Sequence, residues 1–167
     1  YWAVCTISLC NRHWAFSVAR KQRFLPNKEL IHKIIECAIK DPDILTGTSI
    51  VVASQLGLRI GEIFALIEDC LRIINGEAHI EFTTWKTKNE PITVVRPANV
   101  LVVDSIHSLK EHTKELRKKS GMPYLFLTKD WNKGTDVIRV PNYNLWGSRR
   151  LRPFFNRPTY VLTKEIL

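Results

Sequence analysis

The sequence has no CxxC pair, and none of its four cysteines, Cys5, Cys10, Cys37 and Cys70, has a histidine at a zinc-ligand spacing. That excludes the common structural zinc sites and gives no disulfide framework, so the cysteines read as reduced thiols in a reducing cytosol. Long apolar runs are missing too. The opening "YWAVCTISLC" is broken by Asn11, Arg12 and His13, which is too short for a membrane span and lacks the layout of a secretory signal. No internal repeat is present. Acid is absent before Glu29 and again between Asp136 and Glu165, a window that contains Arg139, Arg149, Arg150, Arg152, Arg157 and Lys164. An initiating methionine is also missing: the chain opens on Tyr1, which leads us to expect an excerpt of a longer protein.

What is present is one domain's worth of chain with an uneven charge. The 167 residues are 45% apolar, enough for a core, and the net charge is +9. Residues 1–106 carry 12 basic against 11 acidic side chains, whereas residues 107–167 carry 13 against 5. A one-signed end suggests a polyanionic partner, nucleic acid first among them, with a solvated basic surface as the plain alternative.

Periodicity places the elements. Residues 1–23, which end in "RKQRF", read as a segment or linker entering from a preceding domain. "LPNKELIHKIIECAIKD" puts Leu30, Ile31, Ile34, Ile35, Ala38 and Ile39 at helical spacing and stops at Asp41 and Pro42. A nearly apolar, buried helix is expected around Ile50 to Leu56, ending at Gly57. The chain then restarts as a helix with Ile60, Ile63, Phe64 and Ile67 on one side and Arg59 in its first turn. "CLRII", "EAHIEFTTW" and "PITVVRP" read as three short strands, with turns at Asn75 and Gly76 and at "KTKNE". From Ala98 one long amphipathic helix is expected, with Val102, Val103, Ile106, Leu109, Thr113 and Leu116 on its apolar face. "YLFL" follows as a short apolar run. Beyond Asp130 the pattern predicts irregular, basic structure and a last helix from Leu162. The expected fold is α+β, mainly helical with a small antiparallel three-stranded sheet.

Arg59 is the anomaly in this pattern, a charge set between Gly57 and Gly61 where a core-forming helix begins. An ion pair with Glu62, three residues on, would explain it. So would a bound anion, because the guanidinium fork can make two charge-assisted bonds to one phosphate, and a first helical turn favours negative charge. The residues around it carry a resemblance. "LGLRIGEIFAL" resembles the first box of the tyrosine recombinases, or phage integrases, whose pattern is T-G-L-R-x-x-E-x-x-x-L. Gly57, Leu58, Arg59, Glu62 and Leu66 match, while Gln55 and Leu56 replace the common neighbours. "TTWKTKNEPITVV" is similar to that family's lysine-bearing hairpin, and "RFLPNKELIHKII" to the segment that opens its catalytic domain. The resemblance spans about Phe24 to Leu127.

It implies that residues 24–167 are the front part of a truncated integrase catalytic domain. Such enzymes cut and rejoin DNA through a phosphotyrosyl intermediate, which requires no metal or nucleotide cofactor. Arg59 would then hold the nonbridging phosphate oxygens, Lys86 would protonate the leaving oxygen with Lys88 as the alternative, and Glu62 would brace Arg59. The implied partners are double-stranded DNA and, for the full-length protein, further copies of itself on DNA; the implied compartment is the bacterial or phage-host cytoplasm, with no membrane. The family's His-x-x-Arg box is not recognisable: His107 and His112 lack the arginine and are expected to be solvated, Tyr124 reads as core, and Tyr143 and Tyr160 have no such box before them. The 167 residues alone are therefore expected to be inactive. In "SRRLRPFFNRP", Arg149, Arg150, Arg152 and Arg157 are candidates for backbone phosphates, with Phe154 and Phe155 stacking or packing. A noncatalytic DNA-binding relative and a protein-interaction domain with a basic surface are the alternative readings.

Overall fold

A computed structural model describes residues 27–84, 90–130, 137–142, 150, 151 and 154. The chain separates into two units, Tyr1–Leu30 and Ile31–Leu167. The expected entering segment, residues 1–23, lies outside the described residues, as does the expected helix from Leu162. The fold is α+β: helices, a three-stranded antiparallel sheet and a second sheet of two strands. No helix among the described residues is long and apolar enough to cross a membrane.

Helix α1 (Lys28–Ile39) begins where Asn27 Oδ1 accepts the Leu30 N–H at 2.8 Å, a side-chain cap on an otherwise orphaned donor. It turns Ile35 and Ala38 into the core. Helix α2 (Ile44–Leu56) is buried nearly all round, as its composition predicts, but starts well before Ile50. The polar run Thr46–Ser49 disguised its first turns, and here each hydroxyl is satisfied locally or across a helix contact. Thr46 donates to Asp43 Oδ2 at 2.7 Å, Ser49 to the Thr46 carbonyl at 2.8 Å, and Thr48 to the Ser105 carbonyl at 3.4 Å. Gly47 permits a close crossing over α1, since a Cβ there would stand 2.3 Å from the Ala38 carbonyl oxygen.

Helix α3 (Ile60–Phe64) is shorter than its apolar spacing predicts. Ile67 does not continue it. That residue forms an isolated antiparallel bridge with Tyr124, flanked by hydrogen bonds from Leu125 N to Leu66 O at 2.9 Å and from Glu68 N to Pro123 O at 2.8 Å. The bridge sets the "YLFL" run against the core, where Leu125, Phe126 and Leu127 are fully buried and Tyr124 is half-buried. The Phe126 ring meets Phe64 at 5.4 Å between centroids.

Strands β1 (Leu71–Ile74), β2 (Glu77–Thr84) and β3 (Ile92–Pro97) form the expected sheet in the order β1-β2-β3. Asn75 and Gly76, both at positive φ, make the tight turn between the first two. Ile80 and Phe82 point into the core.

The long amphipathic helix is two helices. Asn99 caps α4 (Val100–His112), which packs Val102, Ile106 and Leu109 inward against α2; α5 (Lys114–Ser120) follows after a break at Thr113. Arg117, not Leu116, is the buried residue of α5. Its guanidinium donates to Thr113 Oγ1 and to the Lys110 carbonyl, both at 2.6 Å, and reaches Glu68 at 3.4 Å. Beyond it, strand β4 (Thr128–Asp130) pairs with β5 (Val137–Arg139), so part of the stretch expected to be irregular is a strand. Phe154 is fully buried in the core.

Candidate functional site

The segment Gly57-Leu58-Arg59 is shaped by the end of α2. Gly57 takes a left-handed conformation, φ 62°, and its N–H donates to the Ala53 carbonyl at 3.0 Å, which ends the helix in a glycine cap. Leu58 is buried and pins the turn to the core. Arg59 then stands in extended conformation, φ −76° and ψ 153°, with its side chain exposed. It occupies the capping position before α3, not the first turn. With five residues, α3 adds little dipole, so the attraction for an anion at this place comes from the guanidinium itself.

Glu62 braces Arg59 through the backbone. One carboxylate oxygen, Oε2, accepts the Arg59 N–H at 2.8 Å, and the other, Oε1, accepts the Thr84 hydroxyl at 2.7 Å. Partial burial alone would push this carboxyl up. The two hydrogen bonds and the positive charges of Arg59 and Arg96 outweigh it, and the group is held below the usual glutamate range. Both oxygens are therefore engaged by other donors. Among the described residues the Arg59 guanidinium makes no hydrogen bond and no ion pair, so the alternative of a direct Arg59–Glu62 side-chain pair does not form.

Thr84 is the last residue of β2, and the sequence between β2 and β3 contains Lys86 and Lys88. Both lysines lie outside the described residues. The root of their hairpin, however, is hydrogen-bonded to the carboxylate that braces Arg59. Sequence reasoning placed Arg59 and the hairpin in one site by resemblance and had no means of naming Thr84 as the link.

Arg96 is a further residue that sequence reasoning missed. In the β2–β3 register it stands opposite the buried Ile80, but at the edge of the sheet Arg96 is itself exposed. Its Nη1 donates to the Leu56 carbonyl at the end of α2, and its guanidinium lies 5.3 Å from the Phe82 ring centroid. The signal was available: in "PITVVRP" an arginine shares the alternation phase of Val94, which packs against the core.

The basic end is resolved in part. Arg150 Nη1 donates to Asp43 Oδ2 at 2.6 Å, an intramolecular carboxylate in the place where a phosphate was expected. Arg149, Arg152 and Arg157 lie outside the described residues, as do Phe155, Tyr143 and Tyr160. Phe154 packs in the core. His107 and His112 are exposed on α4. Cys70 is a buried thiol whose pKa burial pushes up to about 11, so it stays protonated and inert at neutral pH. Among the described residues no three His, Cys, Asp or Glu side chains are grouped to hold a metal ion. No family model matches the chain, and no curated protein matches it either.

Proposed function

We propose that this chain binds duplex DNA and is the front part of a tyrosine recombinase catalytic domain, with Arg59 as a ligand of the scissile phosphate. One observation carries the reading: an exposed arginine whose guanidinium makes no hydrogen bond or close ion pair among the described residues is held by its own backbone, through a carboxylate tied to the root of a lysine hairpin. A side chain kept for solubility does not need such a brace. One kept for an anion does, because a bidentate contact depends on where the fork is held. In the full-length protein the reaction would be strand cleavage and rejoining for integration or excision, with Lys86 or Lys88 delivering a proton to the leaving oxygen. The basic excess of residues 107–167 supplies the nonspecific attraction to the DNA backbone.

The test is a titration of a labelled duplex at low and moderate salt, with wild type and Arg59→Ala. Affinity should fall steeply with salt, because each phosphate contact releases counterions. Arg59→Ala should weaken binding by roughly tenfold, the loss typical of a charge-assisted hydrogen-bonded contact. Binding that is absent or indifferent to salt would remove DNA as the partner; unchanged affinity in the variant would remove Arg59 from the contact.

A further inference from the structure

A phosphate contact by Arg59 leaves Arg96 unexplained. It is an exposed arginine of an edge strand, in register with the buried Ile80, and its guanidinium turns back onto the protein rather than out to solvent. The acceptor it finds is the Leu56 carbonyl, one of the last carbonyls of α2 and without a partner inside that helix. The Leu56 carbonyl and the Gly57 N–H belong to one planar peptide unit. Ala53 O holds the N–H end of that plane, and Arg96 holds the carbonyl end. The plane sets the direction in which Gly57, Leu58 and Arg59 leave the helix. Contact with the Phe82 ring orients the guanidinium, so this exposed side chain is held against the turn by two partners, a ring and a carbonyl.

We infer that Arg96 is a positioning residue for Arg59: it clamps the Leu56–Gly57 peptide and so sets where the Arg59 guanidinium meets a phosphate. The inference rests on the proposed role of Arg59 and adds a second brace to it. Thr84 steadies Arg59 from β2 by way of Glu62, and Arg96 does so from β3 by way of Gly57. The same two strands flank the segment that contains Lys86 and Lys88.

Two readouts test this on the 167-residue chain, with Arg96→Met, which keeps a long side chain over Phe82 without donors, and Arg96→Lys, which keeps the charge without the planar fork. The first is amide hydrogen exchange. Arg96→Met should speed exchange at Gly57 and Arg59 by roughly tenfold, the effect of one lost hydrogen bond from a charged donor, while Glu68 and Leu125, paired in the Ile67–Tyr124 bridge, keep their protection. Arg96→Lys should resemble Arg96→Met more than wild type. The second is a double-mutant cycle in duplex affinity: Arg96→Met should weaken binding in the wild-type background and have no further effect on Arg59→Ala. Unchanged exchange at Gly57 and Arg59, or Arg96→Lys behaving as wild type, would overturn the clamp. Fully additive losses would make Arg96 an independent DNA contact and overturn its positioning role. If wild type binds no duplex, the phosphate reading of Arg59 fails separately, and exchange still decides whether Arg96 holds the turn.

Discussion

Glu62 shows how a site can depend on a residue that need not touch the ligand. Its two oxygens join the Arg59 backbone to Thr84, and its carboxyl is held below the ordinary value of 4.5. A carboxyl with a depressed folded-state pKa adds stability that is complete above its unfolded value and is lost as pH falls through the folded value. Wild-type stability should therefore decline on acidification below about pH 4.5, and Glu62→Gln, which has no charge to lose, should decline less over that window; paired thermal melts would measure the difference. Glu62→Ala should cost about 1 kcal/mol at pH 7, as the loss of a helix cap does. At this scale the sequence was legible where the information is local. Arg59 and Glu62 stand three residues apart in one box. Thr84 and Arg96 enter the site through strand register, which brings positions 22 and 40 residues away to Glu62 and Leu56, and alternation alone does not specify which helix end a strand will meet.

At the scale of elements, the readings that held rest on strong periodicity or turn chemistry: α1, the buried character of α2, and the three strands with their Asn75-Gly76 turn. Those that failed were overridden by distant partners. Ile67 fits a helical stripe, yet Tyr124 captures it as a bridge. Arg117 belongs by composition to a solvated face, yet Thr113, Lys110 and Glu68 pull it inside and end α4 early. Gly47 offers a case in which local and tertiary effects predict opposite signs. Helix propensity alone predicts that Gly47→Ala stabilises α2 by about 1 kcal/mol. The Ala38 carbonyl oxygen, 2.3 Å from the new Cβ, predicts a loss, because backbone would have to move. Overpacking of this kind typically costs about 1–3 kcal/mol, and we expect a net loss, read as a lower urea midpoint at unchanged slope.

For the whole molecule the expectation concerns strand cleavage, which we expect the 167 residues alone not to carry out. It has four tyrosines, but a phenol of pKa near 10 is a poor nucleophile at neutral pH. Phosphodiester cleavage needs a preorganised set of cations around the phosphate, and no His-x-x-Arg box accompanies Arg59 and the lysine hairpin. Incubated with nicked duplex, the chain should form no covalent adduct, seen as the absence of a shifted protein band on a denaturing gel. A band that disappears in Tyr160→Phe would identify a nucleophile and a more complete site.

The bridge between Ile67 and Tyr124 gives synthesis on the ribosome a direction. Helix α3 emerges first, yet the residues that pair with its end, Leu125 with Leu66 and Phe126 with Phe64, are made only after the sheet, α4 and α5. Until then Phe64, buried in the finished fold, lacks the aromatic partner that Phe126 provides. A nascent chain in which α3 has left the ribosome but Phe126 has not been made lacks that ring contact, and transiently exposed apolar surface of this kind favours self-association. Translation speed over the sheet and the two helices that follow thus sets how long Phe64 waits for its aromatic neighbour.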